Sequence, residues 1–197
     1  MSEFEIERIK TGITGLDDLI EGGFPRGDTI LVAGKAGTGK TIFANQFLYN
    51  GAVEYGGPGV LVTLEEPSDM IKRNMMRFGM DLDKIIKDKL LSIVDLSPAK
   101  EVPRVKIGEY PSFDLSGLEA IILNHMKKID AKRVVIDTLS ILAYKFSSRD
   151  ILRQEFFKLA AKLTKEGATL LLTSEIPEHK GGLGVFDIEA FLASGVI

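Results

Sequence analysis

The residues Gly34-Lys35-Ala36-Gly37-Thr38-Gly39-Lys40-Thr41 match the pattern G-x-x-x-x-G-K-[ST]. Glycines at these positions let the backbone curl so that successive N–H groups face one point, and a helix opening at the end of the turn adds its positive N-terminal end. Such a cradle holds the phosphates of a nucleoside triphosphate. Lys40 then meets the β- and γ-phosphates as a point charge, the Thr41 hydroxyl is the expected protein ligand of Mg²⁺, and Ile42 continues the cradle into the helix. A second group is Asp137, which ends the apolar run Val134-Val135-Ile136. At a strand end its carboxylate would hold the same Mg²⁺, through a water molecule. Glu65 and Glu66 end another apolar run and lie just before Pro67. A carboxylate there can orient the water attacking the γ-phosphate and take its proton. Adjacent strand residues face opposite sides, so the two are not expected to serve equally, and Glu65 is favoured. A solvated acidic turn before proline is the plainer alternative. Thr173, Ser174 and Glu175 close a further apolar run, where they either sense the γ-phosphate or serve as turn residues.

These groups need a scaffold with strand ends side by side. Residues 29–33 read as a buried strand, residues 41–49 as a helix with Phe43, Phe47 and Leu48 on one face, and residues 59–64 as a second strand after the turn Gly56-Gly57-Pro58. Residues 68–78 form a helix opened by Ser68 or Asp69 and closed at Gly79, residues 81–87 a short helix, and residues 90–95 a third strand. The stretch 97–114, with Pro98, Pro103 and Pro111, reads as loop or irregular edge. A helix over 115–129, a strand over 133–137, a helix with Leu152, Phe156, Leu159 and Leu163 on one face, and a strand over 168–173 follow. Ser147 or Ser148 caps that last helix, and a new strand begins within 193–197. Near-continuous apolar strands alternating with helices predict an α/β fold, a parallel sheet covered on both faces.

At 197 residues and 45% hydrophobic content, one domain over 1–197 is expected. The formal charge of −3 gives no global attraction to nucleic acid or to an anionic membrane surface. The chain has no cysteine and two histidines, which excludes a disulfide framework and thiolate metal sites. No signal-like N-terminus and no apolar run of membrane-spanning length is found, so a cytoplasmic location is expected. His125 and His179 read as surface or half-buried residues, Met70, Met75, Met76 and Met80 as packing residues, and the basic cluster Lys127, Lys128, Lys132 and Arg133 as a solvated face.

Taken together, the motifs resemble a KaiC-type ATPase domain of the RecA superfamily. The resemblance rests on Thr11-Gly12-Ile13-Thr14-Gly15-Leu16-Asp17, Gly22-Gly23-Phe24-Pro25-Arg26-Gly27, the phosphate loop, and Gln46-Phe47-Leu48-Tyr49-Asn50-Gly51. It continues through Val62-Thr63-Leu64-Glu65-Glu66, Phe78-Gly79-Met80-Asp81 and Arg133-Val134-Val135-Ile136-Asp137. It implies a three-layer RecA-like fold, binding of ATP or ADP with Mg²⁺, and slow hydrolysis using the first glutamate. It also implies assembly into a ring, commonly a hexamer, with nucleotide at subunit interfaces, and switching of contacts with a protein partner. In this family a following hairpin supplies basic residues to the neighbouring subunit's nucleotide, and the chain stops before that segment. Autophosphorylation is not implied for a single domain. Two other readings stay open: a scaffold that assembles on ATP without turning it over, and a recombinase-like DNA-dependent ATPase, which the acidic balance disfavours. No Asn-Lys-x-Asp sequence is present to read guanine.

Overall fold

The computed structural model describes residues 6–98, 115–143, 148–176 and 193–197. The expectations for residues 99–114, for Ser147 and for His179 lie outside them. The chain runs through β1 (Arg8–Ile9), α1 (Leu16–Leu19), β2 (Phe24–Pro25), β3 (Thr29–Gly34), α2 (Lys40–Tyr55), β4 (Gly59–Thr63), α3 (Ser68–Met76) and α4 (Leu82–Lys87). It continues with β5 (Leu91–Asp95), α5 (Ser116–Ile129), β6 (Arg133–Asp137), α6 (Leu139–Ala143), α7 (Arg149–Lys165), β7 (Thr169–Glu175) and β8 (Gly195–Val196).

Successive side chains of a strand point to opposite faces, and the apolar runs are buried on both. Val60, Val62, Val134, Ile136, Leu170, Leu172 and Leu31 join one core cluster with Ile122 and Met126 of α5 and Leu152, Phe156, Leu159 and Leu163 of α7. The alternate residues Leu61, Val135, Leu171, Ile30 and Val32 join a second cluster with Phe47 and Leu48 of α2, Ile71 and Met75 of α3, and Leu82 and Ile85 of α4. The result is the expected three-layer α/β arrangement. The six-stranded sheet has the order β5-β4-β6-β7-β3-β8, and every neighbouring pair is parallel. All six strands therefore end at one edge. The chain leaves β3 and returns three positions away in β4, past β7 and β6, which makes this edge a topological switch point, the usual place for a ligand in open α/β sheets.

Some elements differ from the sequence reading for local reasons. α2 runs to Tyr55 rather than residue 49 because Gly51 sits inside it, where a Cβ would strike the Arg133 side chain, and the helix stops only at the left-handed Gly56, φ 60°. α3 opens after Pro67 with no capping side chain of its own. Its Ser68 N–H donates instead to Asp95 Oδ2 of β5 at 2.8 Å. The antiparallel β1–β2 pair, α1 and α6 were not foreseen, being too short for a periodic signal. The strand expected within 193–197 is found as β8, with the Ile197 N–H donating to the Leu31 carbonyl at 2.9 Å.

Candidate functional site

The phosphate loop joins β3 to α2. Gly37 (φ 76°) and Gly39 (φ 91°) take left-handed backbone that a larger residue resists. Gly34 serves differently, because a Cβ there would lie 2.6 Å from Thr38 Oγ1. Lys35, Ala36, Gly37 and Thr38 are exposed at the loop crest. Gly39 is the N-cap of α2 and no side chain caps it, so the first amides of the helix remain available to an anion. Lys40 Nζ donates to the carbonyls of Gly34 (2.9 Å) and Lys35 (2.8 Å), which keeps the ammonium over the loop. Ile42 lies half-buried in the first turn of α2.

Across the sheet edge, Asp137 Oδ2 accepts a hydrogen bond from Thr41 Oγ1 at 2.8 Å. Its Oδ1 accepts from Thr173 Oγ1 of β7, the strand between β6 and β3. Asp137 is 7% exposed. A buried carboxylate is costly unless its lone pairs are met, and two hydroxyls from flanking elements meet them here. Thr138 and Ser140 extend the network: Thr138 Oγ1 donates to the Thr173 carbonyl (3.1 Å), and Ser140 Oγ accepts from the Glu175 N–H (2.9 Å). The Asp137–Thr138 peptide is cis. Of these, Thr173 was foreseen as a candidate. Thr138 and Ser140 were missed, although two hydroxyl residues within three positions of a strand-ending aspartate are a readable sign of a polar edge.

Glu65 and Glu66 lie beyond the end of β4, so strand alternation does not divide them. The turn is held by Leu64, whose N–H donates to the Asp137 carbonyl at 2.8 Å, and by the Thr63 hydroxyl, which donates to the Glu66 carbonyl. Glu65 is exposed and Glu66 half-buried. Glu66 Oε1 accepts from Asn74 Nδ2 of α3 at 2.9 Å. Burial pushes the Glu66 carboxyl above the usual range, and the Asp137 carboxylate adds to the rise, while the Asn74 hydrogen bond works against it. Glu66 and Asp137 therefore feel each other's charge.

The glycine-rich lead-in is a brace. Asp17 accepts from the Thr11 hydroxyl (2.7 Å) and N–H (2.9 Å), and the Gly12 carbonyl accepts from Asn50 of α2. Arg133 corrects the basic-cluster reading: it is 2% exposed, with its guanidinium 4.6 Å from the centre of the Phe47 ring. Burial lowers its pKa to about 10. Lys127 and Lys128 are exposed, and Lys132 pairs with Asp130 at 3.3 Å. Met75 and Met80 are core residues, whereas Met70 and Met76 are exposed, so the packing role holds for half of that set. His125 is half-buried, its Nδ1 2.7 Å from Ser92 Oγ.

Residues 9–197 match the family described as "ATPase: KaiC". The chain belongs to this KaiC family. It is 41% identical over 193 residues to a circadian clock oscillator protein KaiC of Synechococcus elongatus, covering 98% of this chain and 36% of that protein. A KaiC of Thermostichus vulcanus is 39% identical over 197 residues, with 37% of its length covered. The chain thus spans 36–37% of the length of these curated KaiC relatives. The crystal structure of a KaiC-like protein from the hyperthermophilic archaeon Pyrococcus horikoshii matches with a TM-score of 0.81 and 41% identity, over 97% of this chain and 79% of that one. The KaiC-type, RecA-like architecture expected from the motifs is therefore established. Among the described residues no helix is long and apolar enough to cross a membrane.

Proposed function

We propose that this domain binds ATP with Mg²⁺, hydrolyses it slowly, and uses the change in occupancy to switch contacts between copies of itself or with a protein partner. The observation that carries the proposal is the hydrogen-bonded line Thr41–Asp137–Thr173, which ties the phosphate loop to two strand ends. The residues fit Mg²⁺: a hydroxyl and a carboxylate are the hard oxygen donors it takes, and among the described residues no cluster of His, Asp or Glu exists to hold a metal without the help of phosphate oxygens. Thr41 would ligate the ion directly and Asp137 through water. When bound, the ion supplies Lewis-acid neutralisation of the β- and γ-phosphate oxygens.

The chain's own groups do the rest. Amides of residues 35–41 and the N-terminal end of α2 hold the phosphates, and Lys40 swings from the loop carbonyls to the phosphate oxygens. Glu65, exposed beside the site, orients a water and accepts its proton as the water oxygen bonds to the γ-phosphorus. The bond from that phosphorus to the β–γ bridging oxygen breaks, and ADP and phosphate leave. Glu66, fixed by Asn74 and next to Asp137, keeps the acidic turn in place. We further propose that residues 1–197 act as one domain in the cytoplasm, in a ring, commonly a hexamer, with nucleotide at its interfaces.

Light scattering with and without ATP, paired with turnover in ATP and in GTP, tests this reading. It predicts ATP-dependent mass growth with ATP-preferring hydrolysis. ATP-dependent assembly without turnover would favour a scaffold, and DNA-stimulated turnover that falls steeply with salt would favour a recombinase-like role.

A further inference from the structure

Resting on the ATPase reading above, we infer that Asp95, on the sheet-edge strand β5, is a positioning residue that sets the acidic turn 64–67 through α3. The turn is pinned at its entry by the Leu64 N–H on the Asp137 carbonyl, at 2.8 Å. Its exit is pinned from a different strand, by Asp95 Oδ2 accepting from the Ser68 N–H at 2.8 Å. The other oxygen, Oδ1, accepts from the Ser97 N–H (3.1 Å) and hydroxyl (2.7 Å). Ser68 and Ser97 are 5% and 1% exposed and Asp95 is half-buried, so the donors of this clamp are withdrawn from water while the carboxylate is partly so. α4 shows the contrast: its cap, Asp81, is its own neighbour and accepts from the Lys84 N–H at 3.0 Å. In α3 the acceptor comes from β5, whose Asp95 is in register with Thr63, so the helix is placed relative to the sheet and not only started. A negative charge at the helix N-terminus adds a favourable dipole interaction.

The placement reaches the site because α3 carries Asn74, which donates to Glu66 Oε1 at 2.9 Å. A shift of α3 on the sheet moves that amide and the exit of the turn together, and with them both glutamates. Misplacement by about 1 Å is enough to cost a reacting group up to about 100-fold. The phosphate loop lies on β3 and α2, and its Thr38 and Lys40 side chains bond to carbonyls of the loop itself, so a shift of α3 acts on turnover before nucleotide binding.

The test compares wild type, Asp95→Asn, the milder Ser97→Ala, Asn74→Ala and the double variant Asp95→Asn/Asn74→Ala. Turnover and Mg²⁺-ATP binding by calorimetry are read on each, with amide hydrogen exchange of residues 64–76 and 40–52. Asp95→Asn is expected to lower kcat roughly tenfold with the ATP Kd within about twofold, Ser97→Ala to do so more weakly, and the double variant to be no worse than the poorer single one. Exchange should quicken in 64–76 and stay constant in 40–52. Equal losses of kcat and affinity, or multiplying losses in the double variant, would overturn the inference. Unchanged exchange in 64–76 would overturn it even in a protein that never turns over ATP, a result that would count separately against the ATPase reading.

Discussion

Thr41 Oγ1 donates to Asp137 Oδ2 across 2.8 Å, joining residues 96 positions apart in the chain. The contact places the last residue of the phosphate-loop motif against the carboxylate that ends β6. Asp137→Asn keeps the shape and removes the charge. It is expected to weaken Mg²⁺-dependent turnover by about 10- to 100-fold while leaving the fold intact, as changes to groups holding a metal through a second layer do. Turnover measured across a Mg²⁺ titration checks this, and an unchanged Mg²⁺ requirement would remove Asp137 from the metal site.

Lys40 is held to the loop by two carbonyls, so its removal leaves no buried group stranded. Lys40→Ala is expected to raise the ATP Kd at least about tenfold, or about 1.4 kcal/mol, with a melting temperature near wild type. Calorimetry and thermal unfolding of the same sample separate the two effects.

The paired glutamates should divide. Glu65→Gln is expected to abolish turnover and spare ATP binding. Glu66→Gln, which keeps a partner for Asn74 and relieves repulsion with Asp137, should lower turnover by roughly tenfold or less. The reverse ranking in single-turnover assays would transfer the base role to Glu66.

Acid sensitivity follows from Asp95. Partial burial works to raise its pKa, but hydrogen bonds from Ser97 and Ser68 outweigh this and hold it well below the usual carboxylate range. The folded pKa is therefore below the unfolded value of about 4. The stabilisation is fully present above the unfolded pKa and is lost as pH falls through the folded one. Unfolding midpoints measured from about pH 6 down to about pH 2 should show a shallower acid decline in Asp95→Asn. An identical decline would mean that the clamp is not there in solution.

Gly51 and Arg133 form a coupled pair in the core. A Cβ at Gly51 would meet Arg133 Nε, Cζ and Cδ, and Arg133 has no room to retreat at 2% exposure. Alanine in mid-helix normally stabilises by about 1 kcal/mol. Here overpacking, typically 1–3 kcal/mol, should win and destabilise the protein. In an Arg133→Leu background the clash is gone and Gly51→Ala should turn neutral or stabilising, a sign change that urea unfolding resolves.

The layered architecture was legible because buried parallel strands are written as continuous apolar runs; Arg133–Asp137 matches the expected strand end for end. The glycine turn between β3 and α2 was equally plain as a backbone feature, since its path takes glycine at fixed spacing. What escaped were relations between distant segments. Nothing local in Asp95 says that it caps α3, and nothing in Arg133 distinguishes a lysine-flanked surface residue from one lodged against Phe47. That Glu65 and Glu66 differ was expected, but from strand alternation; the difference seen depends instead on β4 ending at Thr63 and on Asn74 reaching back from α3.

The most direct test of the central claim is release of inorganic phosphate from ATP by wild type and Lys40→Ala, each with Mg²⁺ and with EDTA. Slow, Mg²⁺-dependent release by wild type alone is the predicted result. Release that survives Lys40→Ala or chelation, or no ATP binding by wild type in parallel calorimetry, would contradict it.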